Sequence, residues 1–579
     1  MNRTASLLAI KRYRLVTEEK AVGATYTPSV LADFVADKIL SCARLRNNQT
    51  IRILDPAIGD GELILSLLAR LEARSKAATH VYGFDTNEIA LTKARRRLAA
   101  QFPDVTLHLE LGSFLEFILD QGGMSNQPRL FASREPERFD LIIANPPYVR
   151  TQIMGADKAQ ELASAFGLSG RVDLYHAFLI GMAQVLQPGG TAGMIVSNRF
   201  MTTRGGAGLR AVLREKLSLR HIWDLGDTKI FPAAVLPAVI LADGLNGHDC
   251  DPPAFSSIYE TADLATKEVK NPIAALALSG NVALPDGRRF RVRHGTLDAS
   301  GAKDDVWRIA TDSGDAWLAI VNSHVWRTFG DVGKIRVGVK TCADKVFIRS
   351  DWNTLGDQER PELLRQITTH HIAGRFRSVP HKEQRAILYP HETVQEQRRA
   401  VDLTLYPRSR AYLETHRAKL EARTYLIESG RRWYELWVPQ EPGRWAAPKL
   451  VFKDISERPI FWLDLDGTIV NGDCYWLTCD RPGEFDLLWL AAAVANSTFA
   501  EAFYDHRFNN KLYAGRRRFI TQYVEQFPLP NPKCALGKEI IATAKTIFEA
   551  AGSDSVALEV KLDRMVWDAF GLPLEEVTR

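Results

Sequence analysis

The chain has 579 residues, more than one hydrophobic core usually holds, so two to four domains are expected. Hydrophobic residues make up 46% and charged residues 25% of the sequence, as in an ordinary soluble globular protein. The net charge of +5 is small, so the positions of the basic residues matter more than their excess.

Cysteine usage and apolar runs indicate the compartment. Six scattered cysteines form neither a disulfide framework nor a zinc-binding pattern, and no metal is expected. Residues 1–20 lack the apolar core of a signal peptide, and the longest apolar run, at 487–495, is too short to cross a bilayer. A cytoplasmic protein without membrane contact is therefore expected.

The first predicted element is an amphipathic helix that begins near Pro28. Thr27 can cap this helix, and a proline suits its first turn. Apolar residues then share one helical face: Val30, Leu31, Phe34, Val35 and Ile39. Taken by themselves, these features indicate only an ordinary capped helix.

A strand that ends in a glycine-bearing turn is predicted at residues 51–61. Asp55 stands at the strand tip, where its carboxylate could accept hydrogen bonds from a cationic amine. Gly59 and Gly61 permit the close approach of a ligand to the backbone. Because the Gly-x-Gly-x-x-Gly fingerprint is absent, a cofactor that contains a pyrophosphate is disfavoured.

Asp85 ends the next predicted strand, at residues 81–85. A carboxylate at this position can accept hydrogen bonds from both hydroxyl groups of a ribose, as in dinucleotide-binding folds. The alternative is that Asp85 caps the helix predicted over residues 88–98, and the two roles are compatible. The neighbouring Thr86 is included in the candidate site.

An apolar strand at residues 139–144 stops at Asn145-Pro146-Pro147-Tyr148. Proline cannot donate to a sheet ladder, and a residue before proline is pushed to extended geometry, so a stiff loop is expected. Open α/β sheets bind their ligands at this carboxyl end of the strands. The loop is therefore the central candidate for a binding site.

This loop displays a side-chain amide, free carbonyl groups and an aromatic ring. The amide oxygen of Asn145 and the carbonyl of Pro146 could each accept one N–H of an amine conjugated to a heteroaromatic ring. Two such acceptors would favour a pyramidal nitrogen whose lone pair is free for attack. Tyr148 offers a face on which a planar base can stack, a contact worth ~1–3 kcal/mol. The alternative is a strand followed by a plain Pro-Pro turn.

Strand–helix units continue to about residue 245. A helix begins near Asp173, and its lone His176 is more often a packed residue than a catalyst. Apolar strands follow at 191–196 and 235–241. These units predict an α/β domain at residues 1–245, with a Rossmann-like sheet of seven strands and helices on both faces.

Three motifs carry a resemblance to a known family. Asn-Pro-Pro-Tyr at 145–148 resembles motif IV of amino-methyltransferases. Residues 55–61 resemble motif I, with Ile58 and Asp60 in place of the usual Cys and Ser. Tyr-Thr-Pro at 26–28 resembles motif X. Because motif X precedes motif I, the chain resembles the gamma class of DNA adenine-N(6) methyltransferases, the TaqI-like methylases of type II restriction-modification systems.

The resemblance implies S-adenosyl-L-methionine as the cofactor. The implied cofactor-binding residues are Tyr26, Thr27, Pro28, Asp55, Ala57, Gly59, Gly61, Asp85, Thr86, Ser113, Phe114 and Asn145. The implied catalytic residues are Asn145, Pro146, Pro147, Tyr148 and Phe231. Ser113 stands where relatives carry an acidic residue that contacts the cofactor adenine, and Phe114 supplies an apolar wall. In relatives, an aromatic residue at the position of Phe231 covers the second face of the target base; the alternative for Phe231 is a core phenylalanine.

The second half of the chain has a different pattern. Residues 246–300 lose the periodicity, so a linking region is expected over 246–325, part of which could form a hairpin. Residues 326–531 resemble the mixed α/β target-recognition domain of TaqI-like enzymes, with Cys342 where a glycine is usual. Basic and aromatic residues alternate there, most densely at 506–519, which favours DNA contact over a solvated face. A helical segment is expected over 532–579.

One signature in this half points elsewhere. Residues 464–468, Asp-Leu-Asp-Gly-Thr, match the Asp-x-Asp-Gly-Thr signature of phosphatases. That chemistry needs the signature at the first strand of a complete α/β domain, and here it lies inside the expected recognition domain. A hairpin turn is therefore expected at this position.

Together these features predict a site-specific DNA methyltransferase that modifies the exocyclic amine of a flipped-out adenine in duplex DNA and protects host DNA in a restriction-modification system. Double-stranded DNA, bound by a monomer, is the expected partner, and a separately encoded restriction endonuclease is a further candidate. Two alternatives stay open: a protein-glutamine or RNA methyltransferase with the same Asn-Pro-Pro-Tyr chemistry, and a non-catalytic DNA-binding subunit with a relic cofactor site.

Overall fold

The protein forms two compact units. The computed structural model describes residues 26–45, 49–72, 78–121, 137–148, 156–168, 173–231, 235–245, 252–298, 306–380, 384–508, 512, 516–550 and 554–572. The first unit contains residues 1–311 with 511–515, and the second contains residues 312–510 with 516–579.

The described residues of the first unit form one sheet of twelve strands. The strands are β1 (Ile51–Asp55), β2 (Thr79–Asp85), β3 (Thr106–Leu111), β4 (Phe139–Ala144), β5 (Leu186–Ser197), β6 (Leu217–Asp224), β7 (Pro237–Gly244), β8 (Ala254–Glu260), β9 (Lys267–Glu268), β10 (Gly280–Ala283), β11 (Arg289–Asp298) and β12 (Arg308–Ala310). Their order across the sheet is β3-β2-β1-β4-β5-β7-β6-β8-β11-β10-β9, with β12 paired to β11.

Helices cover both faces of this sheet. Those described are α1 (Ser29–Cys42), α2 (Glu62–Glu72), α3 (Glu88–Gln101), α4 (Phe114–Gln121), α5 (Ala156–Ala165), α6 (Leu174–Val185), α7 (Ala207–Lys216) and α8 (Pro272–Ala275). A short 3-10 helix, Asn198–Met201, follows β5 directly.

Strand β4 shows how the sequence produces the two faces. Ile142 and Ala144 belong to the core cluster shared with α4, α6 and α7, whereas Leu141 and Ile143 belong to the cluster shared with α1, α2 and α3. Successive side chains of a strand point to opposite faces, so a strand covered on both sides must be apolar at every position. The short apolar run before Asn145 therefore marks a central strand.

The predicted α/β class, with helices on both faces, is confirmed. Strands β1 to β5 include the parallel pairs of the centre, and β7 runs antiparallel to its neighbours β5 and β6. The structure differs from the prediction beyond residue 245, because residues 254–298 continue the same sheet instead of linking two domains. Strand β8 pairs in parallel with β6, and β11 pairs antiparallel with β8. In strand β11 only three of ten residues are buried, so it lacks the apolar run of a central strand.

The second unit is a mixed α/β assembly of small sheets. Its described strands are β13 (Arg327–Thr328), β14 (Ile335–Val337), β15 (Ile348–Arg349), β16 (Leu364–Thr368), β17 (Ala386–Leu388), β18 (His391–Val394), β19 (Gln397–Ala400), β20 (Lys449–Lys453), β21 (Ile455–Ser456), β22 (Phe461–Asp464), β23 (Ile469–Val470), β24 (Cys474–Thr478), β25 (Arg517–Arg518) and β26 (Pro528–Leu529). They pair as β14-β24-β20-β22, β15-β17-β16-β23, β13-β26, β18-β19 and β21-β25.

The longest described helices of the second unit lie at its start and at its end. The described helices of this unit are α9 (Asp312–His324), α10 (Phe329–Val332), α11 (Asp344–Phe347), α12 (Pro407–Thr415), α13 (Arg417–Glu421), α14 (Thr424–Glu428), α15 (Asp486–Ala495), α16 (Thr498–Arg507), α17 (Thr521–Val524), α18 (Ala535–Glu549) and α19 (Asp554–Ala569). Throughout the described part of the chain, every helix is too short or too polar to cross a membrane.

Much of the basic and aromatic pattern of this unit is internal. Trp445 is 0% exposed and belongs to the core. Arg517 is 5% exposed and pairs with Asp505 and Glu501 at 2.8 and 3.0 Å. Arg518 pairs with an aspartate at 3.1 Å. These two arginines of the dense segment therefore serve the unit itself, while residues 509–511 and 513–515 of that segment lie outside the described residues.

Asp464 of the phosphatase-like signature has a structural role. Its carboxylate accepts hydrogen bonds from the backbone N–H groups of Asp466 and Thr468 at 2.9 and 3.1 Å. It also pairs with Lys449 at 3.0 Å, and both side chains are buried. Because β22 and β23 pair in different sheets, the segment is a turn between sheets and not the expected hairpin.

Candidate active site

Three candidate side chains lie at the carboxyl ends of neighbouring parallel strands. Asp55 ends β1, Asp85 ends β2, and Asn145 follows β4 directly. Strand β1 pairs in parallel with both β2 and β4. Residues predicted from separate motifs therefore share one edge of the sheet, where open α/β folds bind ligands.

The side-chain amide of Asn145 is held at both ends. Its Nδ2 donates to Thr27 Oγ1 at 3.0 Å, and its Oδ1 accepts from the Tyr148 hydroxyl at 2.9 Å. Thr27 is occupied by this contact: Pro28 stands at the N-cap position of α1, which has no side-chain cap, so the expected capping role of Thr27 is wrong. In this arrangement Nδ2 of the amide is the donor and Oδ1 is the acceptor.

Tyr148 is half-buried and packs against the core beside Tyr175, with ring centroids 6.3 Å apart. Burial raises the pKa of the Tyr148 phenol above its ordinary value, so the hydroxyl stays protonated and remains a donor at neutral pH. Pro146 is buried and Pro147 half-buried. The loop is therefore rigid on its inner side.

Asp55 is fully buried at the tip of β1. Burial raises the pKa of its carboxyl to about 8, the hydrogen bond from the Ala57 N–H at 3.0 Å opposes this, and the negative charge of Asp85 adds to it. Among the described residues, Asp55 Oδ2 has no hydrogen-bond partner. A buried acceptor of this kind suits a cationic ligand group.

The glycine turn is closed by Asp85. Gly59 and Gly61 have φ values of 55° and 86°, which favour glycine, and no described atom lies within 4 Å of a Cβ built on Gly59. Asp85 accepts from the N–H groups of Gly59 and Asn87 at 2.9 and 2.8 Å. Helix α3 is capped by Asn87, so Asp85 is not its N-cap residue.

The aspartate that replaces the usual serine of motif I is neutralised locally. Asp60 pairs with Lys93 at 2.9 Å and with Arg97 at 3.3 Å, both on α3. Arg97 also pairs with Glu62 at 2.6 Å. The extra charge therefore ties the glycine turn to a helix.

The remaining predicted cofactor residues differ in exposure. Tyr26 is 56% exposed, with Lys93 Nζ 5.9 Å from its ring centroid, and Thr86 is exposed beside Asp85. Ser113 Oγ accepts from the backbone N–H of Leu115 at 3.3 Å. Phe114 is fully buried in the core. Its ring is therefore internal and not an open wall.

Phe231 and His176 are both internal in this structure. Phe231 is 3% exposed and belongs to the core cluster of α1, whereas Tyr148 packs against the cluster on the other face. The structure therefore does not bring these two rings together. Burial lowers the pKa of His176 to about 3, so its ring is neutral and packed.

Sequence reasoning did not find a buried polar network at the same edge of the sheet. Asn198 follows β5, Asp224 ends β6, and Tyr259 lies in β8. Asp224 accepts from Asn198 Nδ2 at 2.9 Å and from the Tyr259 hydroxyl at 2.6 Å. Burial raises the pKa of Asp224 to about 6, although these hydrogen bonds oppose it. The network could have been predicted from the polar residues that stand at the ends of apolar strands.

Comparisons with known proteins agree with this architecture. Residues 79–231 match the family model described as Eco57I restriction-modification methylase. The chain is 37% identical over 576 residues to the type II methyltransferase M.BanIII of Aneurinibacillus aneurinilyticus, which covers 96% of this chain and 98% of that protein. It is 26% identical over 530 residues to M.XhoI of Xanthomonas vasicola, covering 88% and 91%. The fold resembles the type IIL restriction-modification enzyme MmeI in complex with DNA, with a TM-score of 0.57, 15% identity, and coverage of 99% and 76%.

The sheet order, the glycine turn after β1 and the Asn-Pro-Pro-Tyr loop after β4 define an S-adenosylmethionine-dependent methyltransferase. The similarity to M.BanIII over nearly the whole of both chains narrows this class. The chain belongs to the type II DNA methyltransferases of restriction-modification systems.

Proposed function

We propose that this protein methylates the exocyclic N6 amine of an adenine turned out of duplex DNA, at a specific site, and so protects host DNA from a cognate endonuclease. The observation that supports it is the Asn145 side chain, whose amide is oriented by Thr27 and Tyr148 next to the Pro146 carbonyl. We further propose that one monomer acts on each DNA site.

Residues at the sheet edge fit the cofactor. Asp55 Oδ2 is buried and lacks a partner among the described residues, and a primary ammonium group would satisfy it. Asp85 holds the glycine turn and would accept the ribose hydroxyls with its remaining lone pairs. When bound there, S-adenosylmethionine supplies a methyl group activated by a sulfonium centre. We also propose that the cofactor contacts Tyr26, Thr86, Ser113 and Phe114. Of these, Tyr26 and Thr86 are exposed, Ser113 is half-buried and Phe114 is buried.

Asn145 and Pro146 would orient the target amine. The lone pair of the adenine amine is delocalised into the ring, so the free amine is a poor nucleophile. Asn145 Oδ1 and the Pro146 carbonyl would each accept one amine N–H, which favours a pyramidal nitrogen. The Asn145 oxygen has two lone pairs, so it can accept from the amine and from Tyr148 together. Positioning of this kind is the main source of rate enhancement expected here.

Tyr148 would support the extruded base. Removing a base from the duplex costs a few kcal/mol, and stacking on an aromatic ring returns ~1–3 kcal/mol. The half-buried ring of Tyr148 is fixed by its hydroxyl contact and by Tyr175, so little ordering remains to be done on binding. Phe231 is buried in this structure, so its proposed role on the second face requires the loop that carries it to move.

The test is incubation of the protein with unmethylated duplex DNA and cofactor labelled in its methyl group, followed by nucleoside analysis. N6-methyladenine in DNA is the expected product. Label in RNA or in protein glutamine, with none in DNA, would favour the alternative substrates. Asn145→Ala should keep cofactor affinity and lose methylation by about 100-fold or more, as removal of one positioned polar group does. Wild-type protein that binds cofactor but modifies no DNA would overturn the proposal.

A further inference from the structure

The hairpin β18–β19 stands apart from the sheets of the second unit. It forms a two-stranded antiparallel sheet of its own, in which Glu392 lies opposite Arg399 and Val394 opposite Gln397. Residues 392–399 are exposed except Val394, which is half-buried. Among the described residues, the ribbon therefore has no apolar face through which it could pack against the rest of the unit.

The base of the ribbon is firmly held. His391 is 5% exposed, and its Nε2 accepts from the backbone N–H of Leu436 at 3.0 Å. Thr393 Oγ1 accepts from the Gly443 N–H at 3.1 Å. Val401, which follows the ribbon, belongs to the core. The exposed part of the ribbon is therefore held in a fixed position relative to the core of the unit, which suits a binding site.

The tip of the ribbon is unusual. Gln395 and Glu396 have φ values of 50° and 62°, a left-handed conformation that L side chains rarely adopt. Two-residue hairpin turns of this geometry normally carry Asn-Gly or Gly-Gly. The chain instead keeps two long polar side chains there. A turn that only connects two strands would be less strained with glycine at these positions. Long polar side chains at the tip are therefore consistent with contact to a ligand.

The side chains of the ribbon suit base edges. Arginine forms bidentate hydrogen bonds to guanine, and glutamine forms them to adenine. Unlike Arg517 and Arg518, Arg398 and Arg399 have no carboxylate within salt-bridge distance among the described residues. Glu392 and Glu396 balance their charge, so the ribbon is a weak general phosphate binder. A mixed set of donors and acceptors favours reading of bases over attraction to the backbone.

We propose that the β18–β19 hairpin enters the major groove of duplex DNA and reads base edges through Gln397 and Arg399, whose side chains share one face of the ribbon. A two-stranded ribbon fits the major groove, which is about 12 Å wide. This inference rests on the proposed function, because it names the element that selects the DNA site for methylation.

The test compares full-length variants on unmethylated plasmid and bacterial genomic DNA, with single-molecule sequencing to map methylated bases. Gln397→Ala and Arg399→Ala should each lower the methylation rate at the wild-type site by about 10- to 100-fold and raise the relative use of sites that differ at one position. Arg399→Lys keeps the charge but loses the planar pair of donors that can bond to one base, so it should stay impaired. Lys561→Ala, which removes one exposed charge paired with Glu539 on α18, is the matched control and should behave as wild type.

Unchanged Tm and cofactor affinity should accompany these effects, because the substituted side chains are exposed. Variant rates within twofold of wild type with the same site preference would overturn the proposal. Complete recovery with Arg399→Lys would also overturn it, because it would show a phosphate contact. So would a changed oligomeric state with unaltered site preference, which would show a protein interface. If the wild type methylates no DNA, the proposed function fails and this inference fails with it. If the wild type methylates DNA and the variants behave in the same way, the hairpin proposal alone fails.

Discussion

Cofactor affinity should rise with pH because of Asp55. Burial and the charge of Asp85 raise the pKa of the Asp55 carboxyl to about 8, although the Ala57 N–H opposes them, so the free protein holds a proton there at neutral pH. An ammonium group beside the unpartnered Oδ2 would favour the charged carboxylate and expel that proton. Below pH 8, each cofactor that binds should therefore release a proton.

The size of the effect follows from the two pKa values. At pH 6.5 a carboxyl with a pKa of about 8 is about 97% protonated, and an amino group with an ordinary pKa near 8 is likewise about 97% charged. Binding should then release about 0.9 proton, and the association constant should rise nearly tenfold per pH unit. Isothermal titration calorimetry in two buffers of different ionisation enthalpy measures the proton number directly.

Asp55→Asn is the control for this measurement, because an amide cannot titrate. This variant should bind the cofactor more weakly and without proton release. The free energy of unfolding of the wild type without cofactor should change in the opposite direction. The raised carboxyl pKa stabilises the fold below about pH 4, and this contribution is lost as the pH rises through about 8. Wild-type binding with no proton release at pH 6.5, and an affinity independent of pH, would refute the role assigned to Asp55.

Three substitutions test other contacts. Thr27→Val removes the acceptor for Asn145 Nδ2 and should lower the single-turnover methylation rate about fivefold, or ~1 kcal/mol, while Thr27→Ser stays near wild type; equal rates for all three proteins would contradict this. Asp464→Ala leaves Lys449 buried and uncompensated and should cost about 3–5 kcal/mol in urea denaturation, so a loss below 1 kcal/mol would count against a structural pair. Phe231→Ala should cost about 3–5 kcal/mol of stability as a core truncation, whereas a stable but inactive variant would show that the ring serves the base instead.

The strand tips could be predicted from the sequence because they combine two local signals. An apolar run marks a strand buried on both faces, and the first polar residue after it marks the edge where the chain leaves the sheet. Asp55, Asp85 and Asn145 each have this position, and the parallel pairing of β1 with β2 and β4 brings them to one edge. The partner of Asn145 could not be predicted, since Thr27 is 118 residues away.

The basic and aromatic pattern of the second unit was less informative. Composition does not show whether a guanidinium group meets a phosphate or a group of its own chain. Arg423 donates to four backbone carbonyls, among them those of Thr341 and Trp433, and Arg517 pairs with two carboxylates. By contrast, Arg398 and Arg399 lie on a polar hairpin, residues 391–400, whose sequence contains no Phe, Trp or Tyr. The exposure and the ion pairs of an arginine distinguish a structural role from a ligand-binding role. Both depend on tertiary packing, which the composition does not show.

Helix α1 places Thr27 beside Asn145 through packing and not through chain connectivity. Gly193 of β5 lies so close to α1 that a Cβ there would come within 2.7 Å of Val35 Cγ1. Arg70 of α2 pairs with two aspartates of α1 at 2.9 and 2.7 Å. These contacts fix the start of α1, and therefore the hydroxyl just before it, relative to the end of β4. A segment with the same packing could precede or follow the strands and still orient the amide. The order of the motifs thus reflects topology, whereas the chemistry depends on one hydrogen bond across the edge of the sheet.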